Sequence, residues 1–437
     1  MRRVSLLMGA ALIFGCGDGS ASEGRGDEGS GLTTLTTFGA DETASEGNEG
    51  ETGTDDSSAD SDGEGNEDGE AKFDLSIPDA PHSCGGTGGD TLSNIWIANS
   101  SQNSVSKIDT KTMIEQGRYY VRPDQAGNPS RTSVSLSANV AIASRNGGVT
   151  KIYHNIDDCQ ESNGTPGIQT SGGAELLPWG EEECVAWHTP LAYTSNRPLA
   201  WAQGTWDEST CSWVNEKLWT SGANGAGSTQ VLLLDGDTGV VEQTIAIPEI
   251  QSSIGLYGGA VDGDGHFWGI ETGGARLVRV DRNNFSYQIW SGPGVASYGM
   301  AVDSVGRPWF CAGGGASRFD PQLQTWQTLP SPGGNAWGGC MTDGEGTLWH
   351  CRQLDATLVG IDTETLQVTK QIPLPAYAHG ISIDFDGYVW AVGFASTDAY
   401  RVDPDTGTID TFSNLVGAYT YSDMTGFALS SAGIPNG

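Results

Sequence analysis

Tryptophan returns at positions 268, 309, 349 and 390, every 40 or 41 residues, each time inside a copy of one pattern. The copies read "YGGAVDGDGHFWGI" from Tyr257, "YGMAVDSVGRPWFC" from Tyr298, "WGGCMTDGEGTLWHC" from Trp337 and "HGISIDFDGYVWAV" from His379. Each holds a short apolar strand, a Gly/Asp turn and a Trp-centred strand. A third strand ending in Asp and a fourth strand follow, as in "ARLVRVD" with "SYQIW". Alternating apolar positions with β-branched and aromatic content mark strands, not helices. Four short strands per unit of this length are the signature of propeller blades. A lone unit cannot bury its two faces, so the units must stack around an axis.

Less regular units precede these four. Second strands fall near Trp96, Ala141 and Trp219, which with the four tryptophans gives seven. The expected fold is therefore all-β, a seven-bladed β-propeller of four-stranded blades over 80–432. The step from 141 to 219 is almost twice the period. An insertion over 157–197 accounts for it, with a degenerate eighth blade as the alternative. The first unit lacks an inner strand. "TGFALSS", after Asp423 and Met424, reads as an inner strand without followers, and pairing it with the first unit would close the ring and leave no open edge.

The N-terminus carries Arg2 and Arg3, an apolar run from Val4 to Phe14, then Gly15 and Cys16. This reads as a signal peptide over 1–16, and "IFGC" resembles the bacterial lipobox, in which Cys16 would be lipidated. Residues 17–79 form an acidic Gly/Ser/Glu/Asp-rich linker that cannot collapse into a core. The expected localisation is the cell envelope, lipid-anchored, at the outer membrane or facing the periplasm. A formal charge of −34 argues against nucleic acid as a partner, and leaves the lipid anchor as the contact with membrane.

Export permits disulfides. Cys340 and Cys351 flank the turn Asp343-Gly344-Glu345-Gly346-Thr347 and are expected to pair; Cys159 and Cys184 bracket the insertion and form the second pair. Cys84, Cys211 and Cys311 stay unassigned. Within the insertion, Glu161, Asn163 and Thr165 carry a faint Ca²⁺-loop spacing, with Pro166 at the usual Gly position.

The residues that open the inner strands should ring one mouth of the channel: Tyr257, Tyr298, Trp337 and His379, with Thr425 from the closing strand, Arg131 from the second blade and Arg197 from the third. Glu271 and Arg352, each three past a blade Trp, would reach the same mouth. Aromatic faces stack on flat or sugar rings, and Arg forks bind carboxylates or phosphates. The mouth thus suits a small-molecule, glycan or protein ligand, and the expected role is a binding or scaffold module. A bare channel plug is the bland reading of the same residues.

The repeated pattern H/Y/W-G-x-x-x-D-x-x-G-x-x-W resembles the streptogramin B (virginiamycin B) lyase family, across nearly all of 80–432. The resemblance implies seven blades and, in that family, opening of a cyclic depsipeptide by elimination at a Mg²⁺ site. It implies that His379, before Gly380, matches a catalytic His. The family's second His falls on Trp337, one Glu on Tyr377, and another on Gly393 or Phe394. The alternative function is thus a lyase or hydrolase centred on His379, with Mg²⁺ as its cation.

Overall fold

The computed structural model describes residues 92–432 apart from 272, 296–297, 313–314 and 332–336. The signal peptide, Cys16, Cys84 and the acidic linker lie outside the described residues.

Regular structure among the described residues is nearly all strand, in five sheets of four strands, one of seven strands and one two-stranded hairpin. The hairpin, Thr205–Asp207 with Ser212–Val214, is the lengthened first turn of the sheet that begins at Ser195–Ala202. Neighbouring sheets meet through their first strands: Pro129–Val134 touches Ser195–Ala202, which touches Leu256–Val261, and the series runs on through Gly299–Val302 and Cys340–Thr342 to Ala378–Ile383. The seven-stranded sheet joins the last unit to the first, because Asn99 pairs with Ala418.

The second strands occupy one register. Trp268 lies opposite Ala260 and Arg279, Trp309 opposite Ala301 and Arg318, and Trp390 opposite Ser382 and Arg401. Ala141 takes the same place, between Ser133 and Lys151. The indoles are fully buried between sheets, where large aromatic rings contribute most of the hydrophobic packing. The repeat's Gly has a packing cause as well. A Cβ at Gly299 would lie 2.6 Å from Gly339 Cα, one at Gly258 2.9 Å from Met300 Cβ, and one at Gly380 would strike Thr420 O. First strands of adjacent sheets approach too closely there for a side chain.

Three expectations need correction. The closing segment is 419–425, not "TGFALSS". Tyr419 N donates to Ala98 O at 3.0 Å and Trp96 N to Met424 O at 2.8 Å, while Ser422 Oγ donates to Thr132 O at 2.6 Å. Phe427–Ser431 is a short helix, because Asp423 Oδ1 accepts Gly426 N at 2.9 Å and turns the chain, and Phe427 then packs on Phe385. The excess length after Ala141 lies between Val149–Ile152 and Val185–Thr189, which pair as third and fourth strands of one sheet, and Ser195–Ala202 already begins the next. Cys340 does not bond Cys351. The hairpin register sets Cys340 opposite His350, so Cys351 points to the other face, where it stays a buried free thiol. Cys340 instead bonds Cys311 of the preceding sheet. Cys159 bonds Cys184 as expected, and Cys211 is disulfide-bonded.

Candidate functional site

Tyr257, Tyr298 and His379 do converge. The Tyr257 hydroxyl donates to Tyr298 at 2.6 Å and lies 3.0 Å from the hydroxyl of Tyr419, which also bonds Tyr298. The Tyr298, Tyr419 and Tyr421 rings stand 5.0, 5.0 and 5.2 Å from the His379 ring, and Phe394 stands 4.9 Å away. His379 Nδ1 meets the Tyr377 hydroxyl at 3.1 Å, and its buried Nε2 has no partner. Burial pushes His379 down to about 3, helped by the nearby Arg131 and His350, so the imidazole is neutral at physiological pH. Burial and the neighbouring phenols push Tyr298 far up, and burial with Tyr419 pushes Tyr257 up to about 12. The hydroxyls thus remain neutral donors.

Three guanidinium groups surround these phenols. Arg131, fully buried, stacks over Tyr421 at 3.0 Å and Tyr257 at 5.1 Å, and donates to the carbonyls of Ser130 and Tyr257. Burial pulls it down to about 9, well above neutrality. Arg197 lies over Tyr257 at 5.0 Å and Arg145 over Tyr419 at 4.6 Å. Arg145 is tied to Asn128, whereas Arg197 bonds Ser195 through Nε alone among the described residues. Among the described residues none of the three pairs with a carboxylate, in a chain of formal charge −34.

Trp337 does not sit inside this cluster. It is 44% exposed and leans on Phe394, itself 41% exposed, at 6.3 Å. Phe394 rests on Tyr419 and His379, so a ladder of rings runs from the exposed pair to the buried phenols.

Glu271 and Arg352 are not mouth residues. Glu271 Oε1 accepts Gln251 N and Ser252 N at 2.8 and 2.6 Å, and Oε2 pairs with Arg276. Three positions past the Trp lies at the strand end, where this carboxylate ties down the preceding loop. The Arg352 fork is occupied by Asp355 at 2.8 and 2.7 Å. Thr425 is buried beside Ser382, away from the tyrosines.

The Ca²⁺ reading of Glu161, Asn163 and Thr165 also fails. Asn163 Oδ1 accepts Thr165 N at 2.8 Å and its amide donates to Gln169 and Glu181. The loop instead wraps an anion of its own: the Glu183 carboxylate accepts the amides of Ser162, Asn163 and Gln169 at 2.6, 2.9 and 2.9 Å. N–H donors converging inward are the reverse of a cation site.

Sequence reading missed Tyr419 and Tyr421, which alternate in "AYTYSD" and so face one side, as well as Arg145; Tyr377 and Phe394 entered it only as the residues at the lyase family's Glu positions. The period-two pair of tyrosines before Asp423 was the available signal. Among the described residues no carboxylate bonds His379; Asp423 Oδ1 is committed to the turn before the helix.

No family model matches the chain, and no curated protein matches it by sequence. Solved structures do match. A streptogramin B lyase structure is similar at TM-score 0.50 and 16% identity, over 68% of this chain and 86% of that one. The selenomethionine-substituted virginiamycin B lyase from Staphylococcus aureus gives 0.46 and 16%, over 66% and 85%. A catalytically inactive variant of the Staphylococcus aureus enzyme with quinupristin gives 0.47 and 16%, over 65% and 84%. The chain has a streptogramin-B-lyase-like β-propeller fold, and the likeness at this identity is one of fold.

Proposed function

We propose that the chain is an envelope-tethered propeller whose mouth binds a small planar organic anion. The ring of the ligand lies on the Trp337–Phe394 pair and its acid group meets Arg197. One observation carries the reading: Arg197 is a half-buried cation whose terminal N–H groups have no partner among the described residues, at a mouth where no carboxylate answers it. An unanswered guanidinium beside neutral phenol donors favours an incoming carboxylate or phosphate. The exposed rings supply stacking area at little entropic cost. Lipidation at Cys16 and the acidic spacer would tether this domain to a membrane surface. The lyase or hydrolase alternative has less support, because aromatic rings and not acids surround His379, and a general base needs an orienting or charge-stabilising partner.

Titration with 4-hydroxybenzoate, followed calorimetrically and by tryptophan fluorescence, tests the reading. Saturable binding should weaken roughly tenfold in Arg197→Gln and in Trp337→Ala, with melting temperatures retained. Binding unchanged by both substitutions, or absent, would overturn it.

A further inference from the structure

The insertion builds a second concavity, away from the mouth. Its stapled loop docks on the first sheet: Arg118 N donates to Ser171 Oγ at 2.9 Å, and Arg118 bridges to Leu176. Between that loop and the sheet lies a cleft of about 520 Å³, lined among others by Lys107, Tyr119, Tyr153, His154, Asn155 and Thr170. Its lining holds one Lys and one His and no Asp or Glu. That is unusual in a chain with 55 acids against 21 bases.

The polar groups of the cleft are unspent. Lys107 Nζ donates to His154 O at 2.7 Å and has no acidic partner among the described residues, and its remaining N–H bonds are uncommitted there. His154 Nδ1 is buried without a hydrogen bond, and Thr170 is engaged by the Tyr119 hydroxyl. A buried polar nitrogen left unpaired costs about 1–3 kcal/mol, so a site with one beside a cation favours a ligand that satisfies both. The nearby acids are occupied: Glu115 holds Arg118, Glu182 accepts Ser171 N and Cys184 N, and Asp109 accepts the turn amides of Lys111 and Thr112.

We propose that this cleft is a ligand site for a carboxylated sugar, a uronate in chemical class. The carboxylate accepts from Lys107 Nζ and from His154 in its Nδ1–H tautomer. The sugar hydroxyls meet Asn155, and the half-buried Tyr153 ring, with Lys151 over it at 5.5 Å, offers its other face for stacking. The insertion is then the element that creates the site, which gives its disulfide a purpose beyond bracing a loop. The site is independent of the mouth.

Calorimetric titration with glucuronate tests this, with glucose as the neutral control. Glucuronate should bind saturably, glucose about tenfold more weakly or not at all, and Lys107→Met should lose about tenfold in affinity, the worth of one charge-assisted hydrogen bond. Trp337→Ala should leave glucuronate binding unchanged, which separates this site from the mouth. The unmodified protein gives a second readout. Burial lowers Lys107 to about 8, opposed by Asp109, with His154, Tyr119 and Tyr153 as the other titratable groups facing it. Binding should therefore weaken roughly fivefold or more from pH 7 to pH 9.5 as the ammonium discharges. If Lys107→Met fails to fold, that profile decides. No saturable heat, equal affinity for glucose, loss in Trp337→Ala, or a flat profile to pH 9.5 each overturns the proposal.

Discussion

The indole N–H of Trp349 donates to Asp343 Oδ2 at 3.0 Å, while Asp343 Oδ1 accepts the amides of Glu345 and Thr347 at 2.9 Å each. One carboxylate thus closes the turn and anchors the buried ring of the following strand. The same bond recurs from Trp268 to Asp262, Trp309 to Asp303 and Trp390 to Asp384, at 2.8, 2.9 and 2.8 Å. The motif Asp-x-x-Gly-x-x-Trp is therefore a structural tie, repeated in the four regular units, whereas Trp219 donates to Gly265 O instead. Trp96 lacks this bond, and its Nε1 has no partner among the described residues.

Asp343→Ala should lower stability by about 1–3 kcal/mol, since it strands one buried indole N–H and frees two part-buried turn amides. Asp343→Asn, which can keep one acceptor, should cost less. Denaturant melts of the two variants check the order. Equal and small losses would show that the indole bond contributes little.

The closing segment carries the next expectation. Ending the chain at Ala418 removes the bonds Tyr419 N to Ala98 O and Trp96 N to Met424 O, and unpairs Thr132 from Ser422. It also opens an edge between Ala378–Ile383 and Pro129–Val134. The melting temperature should fall by about 10 °C or more, or folding should fail. A truncated chain that melts like the full one would remove the seam from the account.

Much of this was readable beforehand, for physical reasons that differ by residue. The tryptophan register was legible because each ring is held by a carboxylate at fixed distance in the chain. Tyr257, Tyr298 and His379 were legible because the repeat placed them at the start of first strands. Tyr419 and Tyr421 come from outside the repeat, so only their own alternation before Asp423 marked them. Cys340 and Cys351 look symmetric about their turn, but pairing of Cys340 with His350 turns the second thiol away. "TGFALSS" alternates like a strand, yet the turn that Asp423 Oδ1 holds by accepting Gly426 N leads it into a helix. Glu271 and Arg352 were placed by counting from the Trp, which ignores the loops that such strand ends must tie.

The disulfide assignment is directly measurable. Non-reducing peptide mapping should find Cys311 with Cys340 and Cys159 with Cys184, and an unpaired Cys351. Burial raises the Cys351 thiol to about 12, so native protein should resist iodoacetamide there and label only when unfolded. Removing the Cys311–Cys340 link, which ties two sheets, should cost about 2–4 kcal/mol. A Cys340–Cys351 peptide would overturn the register argument.

The buried histidines set the last expectation, in pH. Burial lowers His379 to about 3 and His350 to about 4, against 6.5 for the free side chain. A folded value below the unfolded one means that the unfolded chain binds more protons. Their contribution is complete above pH 6.5 and is lost as pH falls through 6.5 toward 4 and 3. For His379 the loss reaches about 2–3 kcal/mol by pH 4.5. Asp384 and Asp423 oppose it: burial raises them to about 7 and about 6, so their contribution is complete below 3.8 and is lost as pH rises through those values. Comparing variants isolates the histidine part. His379→Phe keeps a ring among Tyr298, Phe394 and Tyr421 but binds no proton, so it should lose less stability than the parent protein between pH 7 and pH 4.5. Melts across that range read the difference. A constant offset at every pH would mean that His379 is already charged or already exposed in the folded state, and the neutral aromatic mouth would have to be given up.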